Sequence, residues 1–291
     1  MISNYNEHNP DFIIVGSHKS GTSTLASYLR NHPSIWIPEH EVAFFSKNFQ
    51  WGMEWYRKRI IEGLDRSNKS VSLIGEKTPA YSYLPYVPQR MISTVPKVKI
   101  IWIFRNPVER TYSNYLQLRK KGREPFSFKK AIEKEKIRIN KNIYYGYVER
   151  SKYILQVKRF LKIYPFNQMC FVLFEELISQ PEKCLRKLVS FLDIDYFPND
   201  LPRIHSNKTL LPRYGFTLWA TGMLFGYHSP FFNVVHRINY THPKEKQPLD
   251  ENIRQYLEVV FKPFNQELAE VTGLDISWWN LNNKNSDQRI D

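Results

Sequence analysis

The chain has 291 residues and carries 42 Lys and Arg against 28 Asp and Glu, a formal net charge of +14. That length can bury a large core in one α/β domain, and the charge favours anionic partners: nucleotide phosphates, sulfated or uronic-acid glycans, nucleic acid or an acidic membrane face. Basic and acidic residues are interspersed, and the aromatic residues, 15% of the chain, form no RNP-like or OB-like pattern, which argues against a nucleic-acid binder. The two cysteines, Cys170 and Cys184, fall in a predicted strand and a predicted helix, so two buried free thiols are expected and not a disulfide. Residues 1–10 form an extension with neither a basic n-region nor an apolar core, and a cytoplasmic enzyme is the expectation.

Residues 11–24, Asp-Phe-Ile-Ile-Val-Gly-Ser-His-Lys-Ser-Gly-Thr-Ser-Thr, set the frame for the rest. An apolar, β-branched run from Phe12 to Val15 meets Gly16, and a turn of small residues leads into Leu25-Ala-Ser-Tyr-Leu-Arg30, which reads as strand, phosphate-cradling loop, helix. Glycines let the backbone approach an anion closely, N–H groups at the helix start point at it, and Lys19, Thr22, Ser23 and Thr24 add donors. The loop is not a Walker A loop, because Gly21 is followed by Thr22 and the lysine lies two residues before that glycine. Such a rearrangement suggests a different phosphate donor.

Further along, Ser34–Ile37 is a short apolar run closed by Pro38, with Glu39, His40 and Glu41 just beyond it. Residues 51–66 are predicted helical, and Val71–Gly75 is predicted as a strand leading into Glu76-Lys77-Thr78-Pro79. Lys97–Phe104 is the strongest strand pattern and ends at Arg105-Asn-Pro107, which starts a helix predicted to run to about Lys121 and stop at Gly122. Helices are also predicted at 128–139, 151–164 and 181–192, a strand at 169–174, and a last amphipathic helix at 250–272 that Pro263 should kink or break. Strands alternating with helices at this spacing predict an open, mostly parallel sheet of P-loop type with helices on both faces. One domain is expected over 11–279, with 196–249 as a variable insert on the acceptor side and 280–291 as a loose tail. Glu39/His40/Glu41, Lys77, Arg105 and the 16–24 loop all follow predicted strands, and on a doubly wound sheet such positions converge on one crevice.

These residues resemble those of the PAPS-dependent sulfotransferases (PAPS is 3′-phosphoadenosine 5′-phosphosulfate). Lys19-Ser20-Gly21-Thr22-Ser23-Thr24 is similar to the family's 5′-phosphosulfate loop, and Arg105-Asn-Pro-Val-Glu-Arg-Thr-Tyr-Ser113 to its 3′-phosphate motif. The resemblance is strongest to the carbohydrate branch, which includes heparan sulfate N- and 3-O-sulfotransferases and bacterial relatives. It extends through Glu41-Val-Ala-Phe-Phe45, Gly75-Glu-Lys-Thr-Pro-Ala80, Phe174-Glu-Glu-Leu177 and Phe264-Asn-Gln-Glu-Leu268. It implies sulfuryl transfer from PAPS to a hydroxyl or amine on a carbohydrate or glycolipid, anionic or lipid-linked, with PAP (adenosine 3′,5′-bisphosphate) as product and no metal required. Glu41 is implied as general base, with His40 as its rival because imidazole titrates near neutral pH. Lys19 and Lys77 are implied as the charge on the leaving oxygen, and Arg105 with Ser113 as the 3′-phosphate site. The chain departs from the heparan branch in carrying Ala43 where those enzymes usually have histidine. It also lacks their late Lys-Gly-Arg loop, whose place is open to Lys244 or Lys246.

The competing functions are a P-loop kinase or NTPase, which needs a lysine directly after the second loop glycine and a Walker B aspartate, and a non-catalytic polyanion-binding protein. Within sulfotransfer, a small alcohol or a tyrosine peptide is an alternative acceptor. Residues 216–235 hold no formal charge. They could nominally span a bilayer, but glycines, Pro230 and polar residues interrupt the run. The remaining readings are a buried helix and turn, or an exposed flap that covers the acceptor or docks on a membrane.

Overall fold

In the computed structural model the strand Phe12–Gly16 (β1) is wholly buried, as a near-continuous apolar run requires when both faces of a parallel sheet are covered. The structure describes residues 9–64, 71–197, 210–242 and 247–281; Lys244, Lys246 and most of the 280–291 tail lie outside them. Ile35–Trp36 (β2), Leu73–Lys77 (β3), Lys99–Phe104 (β4) and Met169–Leu173 (β5) complete a five-stranded sheet of order β2-β3-β1-β4-β5. Every pairing in it is parallel. The chain leaves β1 first toward one side and later toward the other, so the carboxyl end of β1 lies at the point where the winding reverses, where open α/β sheets bind ligands.

The described residues form two compact units, one of those within 1–106, 153–204 and 264–291 and the other of those within 107–152 and 205–263. The first holds the sheet. Its strand side chains alternate as the two-residue period demands. Ile13, Val15, Ile100, Trp102 and Phe104 face a core shared with the helices Val87–Thr94 and Tyr153–Leu161. Phe12, Ile14, Ile101, Ile103 and Val172 face the helices Thr22–Arg30 (α1) and Pro181–Leu192. Helices thus cover both faces, as predicted. The thiols of Cys170 and Cys184 are free, and burial pushes them up to about 11 and about 12.

The second unit is helical. Pro107–Lys120 (α2) is buried along Val108, Tyr112, Tyr115 and Leu116 against Phe128, Tyr147, Leu257 and Phe261. Arg110 is fully buried and donates to the Tyr147 carbonyl at 3.0 Å and to Ser151 Oγ at 3.2 Å. Glu124, also buried, pairs with Arg138 at 2.8 Å and accepts from the Tyr147 hydroxyl.

Several expectations are revised. The helix predicted over 51–66 spans Gly52–Ile60, and that over 128–139 divides into Phe128–Glu133 and Glu135–Arg138. The last helix is not broken at Pro263 but continues over Glu251–Thr272 with that proline inside it. β3 extends two residues beyond its predicted end, to Lys77. Residues 216–235 do not form a buried helix and turn. They lie within two helices, Gly215–Phe225 (α3) and Pro230–Asn239 (α4), and the connection between them, with many apolar side chains exposed.

Candidate active site

The loop after β1 is shaped by two left-handed residues, Lys19 at φ 70° and Gly21 at φ 87°. Ser17 and Ser20 share a hydroxyl hydrogen bond at 2.5 Å, and the Ser17 N–H donates to the Ile103 carbonyl at 2.8 Å, which ties the loop to β4. Gly21 occupies the N-cap of α1, where no side chain caps the helix. A Cβ at Gly21 would come 2.3 Å from the Phe174 ring, so both the backbone angle and the packing demand glycine. The first turn of α1, Thr22, Ser23 and Thr24, thus starts without a side-chain cap, and the dipole of such a helix start favours negative charge. Thr22 is buried, Thr24 half-buried and Ser23 exposed.

The register of β3 beside β1 sets Lys77 opposite Ile14, so its side chain emerges next to this loop. Its Nζ lies 3.3 Å from Ser23 Oγ and 3.6 Å from Glu41 Oε1, with only 8% of the side chain exposed. Lys77 does not pair with its neighbour Glu76, because successive strand residues point to opposite faces. Of the three titratable residues after β2, only Glu41 meets Lys77 in this way. His40 Nε2 lies 3.6 Å from Glu62, and Glu39 acts electrostatically on Arg30. Arg105, directly after β4, holds its guanidinium 5.1 Å from the Phe174 ring centroid, the same ring that covers Gly21. The loop, Lys77, Glu41 and Arg105 therefore gather at the carboxyl ends of β1, β3 and β4. Ser113 lies half-buried on α2, in the second unit.

The family model of the sulfotransferase domain matches residues 9–210. The chain belongs to the sulfotransferase family. Heparan sulfate glucosamine 3-O-sulfotransferase 5 of Mus musculus is 28% identical over 278 residues, which cover 92% of this chain and 74% of the relative. Membrane-associated sulfotransferase kil1 of Dictyostelium discoideum is 24% identical over 352 residues, covering 93% and 67%. A sulfotransferase crystal structure from Alicyclobacillus acidocaldarius superposes with a TM-score of 0.66 at 26% identity, over 94% of this chain and 99% of that one.

In this sulfotransferase the loop that carries Glu41 is held by the carboxylate of Glu76, through Thr78 and Tyr81. Glu76 is fully buried and accepts from Thr78 Oγ1 at 2.7 Å, from the Tyr81 hydroxyl at 2.7 Å and from the Tyr56 hydroxyl. Two of these groups accept in turn from the loop: Thr78 Oγ1 from the Ala43 N–H at 3.2 Å, and the Tyr81 hydroxyl from the Phe45 N–H at 3.1 Å. The chain turns there through Ala43 at φ 54°. Burial pushes the Glu76 carboxyl above the ordinary carboxylate range, and its three hydroxyl partners act in the opposite direction. A similar clamp holds the start of the Arg105 segment. Buried Glu175 accepts from the Asn106 N–H at 2.9 Å and from Trp279 Nε1 at 3.1 Å, and the Arg105 carbonyl accepts from the Tyr153 hydroxyl at 3.0 Å. The signal for both clamps in the sequence was an acidic residue inside or directly after an apolar strand.

Tyr81→Phe tests the first clamp. Loss of a hydrogen bond to a charged, buried group is expected to cost about 1.5–3 kcal/mol in urea unfolding. Because Glu76 already titrates higher in the folded than in the unfolded chain, stability falls as pH rises from the ordinary carboxylate range to its raised folded value. Removing a hydroxyl that lowers that value widens this window, so the variant should go on losing stability to a higher pH than the parent and lose more in total. An unchanged pH dependence of stability would remove Tyr81 from the clamp.

Proposed function

We propose that this sulfotransferase draws its sulfuryl group from PAPS, releases PAP, and serves a hydroxyl or amine on a carbohydrate. The observation that carries the reading is the meeting of Lys77, Ser23 and Glu41 at the uncapped start of α1. A donor with a 5′-phosphosulfate fits this place: glycine clears the approach, backbone N–H groups face it, and the ammonium of a largely buried lysine stands beside it. Bound PAPS supplies a sulfuryl group whose bond to the 5′-phosphate oxygen breaks as the acceptor atom takes its place in line.

The chain's own residues then divide the work. The loop of Lys19 to Thr24 holds the 5′ end, with the hydroxyls of Thr22, Ser23 and Thr24 and the α1 N–H groups as donors. Lys19 and Lys77 place positive charge where the leaving oxygen gains negative charge, which matters most in a site shielded from water. Glu41 accepts the acceptor's proton, in reach of Lys77 but exposed enough to meet an incoming group. Arg105, whose backbone the Glu175 and Tyr153 hydrogen bonds fix, binds the 3′-phosphate, the group that separates this donor from ATP. A carbohydrate acceptor is supported by the similarity to a heparan sulfate glucosamine 3-O-sulfotransferase.

Isothermal titration with PAP, ADP and ATP tests the donor. PAP should bind more tightly than either, and Lys19→Ala and Arg105→Ala should each weaken it by about 1–3 kcal/mol. Equal binding of the three, or preference for ATP, would overturn the donor assignment. A screen with labelled PAPS against oligosaccharides, tyrosine peptides and small alcohols then assigns the acceptor class.

A further inference from the structure

Half of the exposed large apolar side chains among the described residues fall between positions 210 and 238. The local sequence explains how they come to be displayed. α3 ends at Gly226 at φ 85°, and Ser229 then caps α4 by accepting from the Phe232 N–H at 3.1 Å, with Pro230 in its first turn. The connection folds back on α3 because Gly222 has no side chain; a Cβ there would come 2.2 Å from the Tyr227 ring. One side of this hairpin is seated on the end of α2. Leu218 packs against Gly122, the Tyr240 hydroxyl donates to the Lys120 carbonyl at 2.9 Å, and Arg123 lies 5.3 Å from the Tyr227 ring centroid.

The other side carries Phe216, Met223, Leu224, Phe225, Phe231 and Ile238. Leu224 is 77% exposed, and Phe216 and Ile238 are each 65% exposed, more than a core or a covered groove would leave. No helix among the described residues is long and apolar enough to cross a membrane. Residues 210–242 contain no Asp or Glu. Arg213, just before α3, and Arg237, beside Ile238 on α4, are both exposed. The nearby acid Glu124 is buried and already pairs with Arg138.

We propose that the α3–α4 hairpin is a peripheral docking element for an anionic lipid surface. Its apolar face enters the boundary between headgroups and acyl chains while Arg213 and Arg237 meet the negative headgroups. Tyr214 and Trp219, with apolar rings and polar ends, suit that boundary. The charge decides between a bilayer and a second copy of the chain. Self-association through this face would bring the basic rim against itself, whereas an anionic bilayer neutralises it.

The test is co-sedimentation of the full chain with phosphatidylcholine vesicles, with and without about 30% phosphatidylglycerol. The parent should sediment with the anionic vesicles and only weakly with the neutral ones. L224E/F231E alters two exposed side chains and should keep the parent circular dichroism spectrum while partitioning at least about tenfold more weakly. R213E/R237E should lose at least about fivefold for each charge. Three results would overturn the proposal: no sedimentation with anionic vesicles at low salt; binding that L224E/F231E leaves intact, which would assign it to diffuse basic charge; or a parent dimer in analytical ultracentrifugation that L224E/F231E converts to monomer. The outcome does not depend on the donor or the acceptor of the enzyme.

Discussion

Glu41→Gln is expected to lower sulfuryl-transfer turnover by roughly 10²–10⁴-fold, the usual loss when a general base is removed, while PAP binds nearly as tightly as to the parent. The substitution keeps the shape of the side chain and an oxygen able to face Lys77, so the loop from Glu41 to Phe45 has no reason to move. Its backbone is held by Thr78 and Tyr81. The Glu41 side chain is 48% exposed and stands 3.6 Å from Lys77, beyond hydrogen-bond length, so this contact contributes little to stability. Thermal unfolding should therefore barely change, and the loss should appear in kcat. His40→Ala is the matched control. Its imidazole lies near Glu62 and not Lys77, so turnover should stay within a few-fold of the parent. An active Glu41→Gln together with a dead His40→Ala would reverse the assignment.

Lys77→Ala should reduce kcat by roughly 10²–10³-fold, the scale seen when one preorganised donor to a developing oxyanion is lost, and should also weaken PAP binding. What marks this lysine as functional is the expected split between activity and stability. Its side chain is only 8% exposed, yet the partners seen for its ammonium are a serine hydroxyl at 3.3 Å and a carboxylate at 3.6 Å. A charge so thinly compensated costs the fold free energy. Removing it should leave the melting temperature unchanged or raise it, as happens where a site trades stability for activity. Lys77→Arg should not restore full turnover, because a planar guanidinium cannot occupy the place of a compact ammonium. If Lys77→Ala unfolds more easily and turns over normally, the residue is structural.

The sequence by itself determined the parts of this protein whose cause is local. The apolar run of β1, the strong β4 pattern and the proline-led helix Pro181–Leu192 are each specified by a few neighbouring residues, through hydrophobic period and turn chemistry. The loop from Lys19 to Thr24 was legible for the same reason, since small residues and two glycines between a strand and a helix have few other uses. The helices Val87–Thr94 and Phe174–Ser179 were not read, being short and marked by no long periodic pattern. Which of Glu39, His40 and Glu41 faces Lys77 was decided only by tertiary structure. The direction of a side chain in an irregular loop follows from hydrogen bonds to Thr78 and Tyr81, more than thirty residues away. Glu76 depends in the same way on Tyr56, twenty residues before it. The extension of β3 to Lys77 came from pairing with β1, which no reading of residues 71–77 alone contains. Residues 216–235 make the contrast plainest. Their composition allowed either a buried or an exposed segment, because an apolar side chain carries no record of whether a partner surface exists for it. Only the packing of Leu218 and Tyr227 on the end of α2 decided which face is covered, and left the other to water.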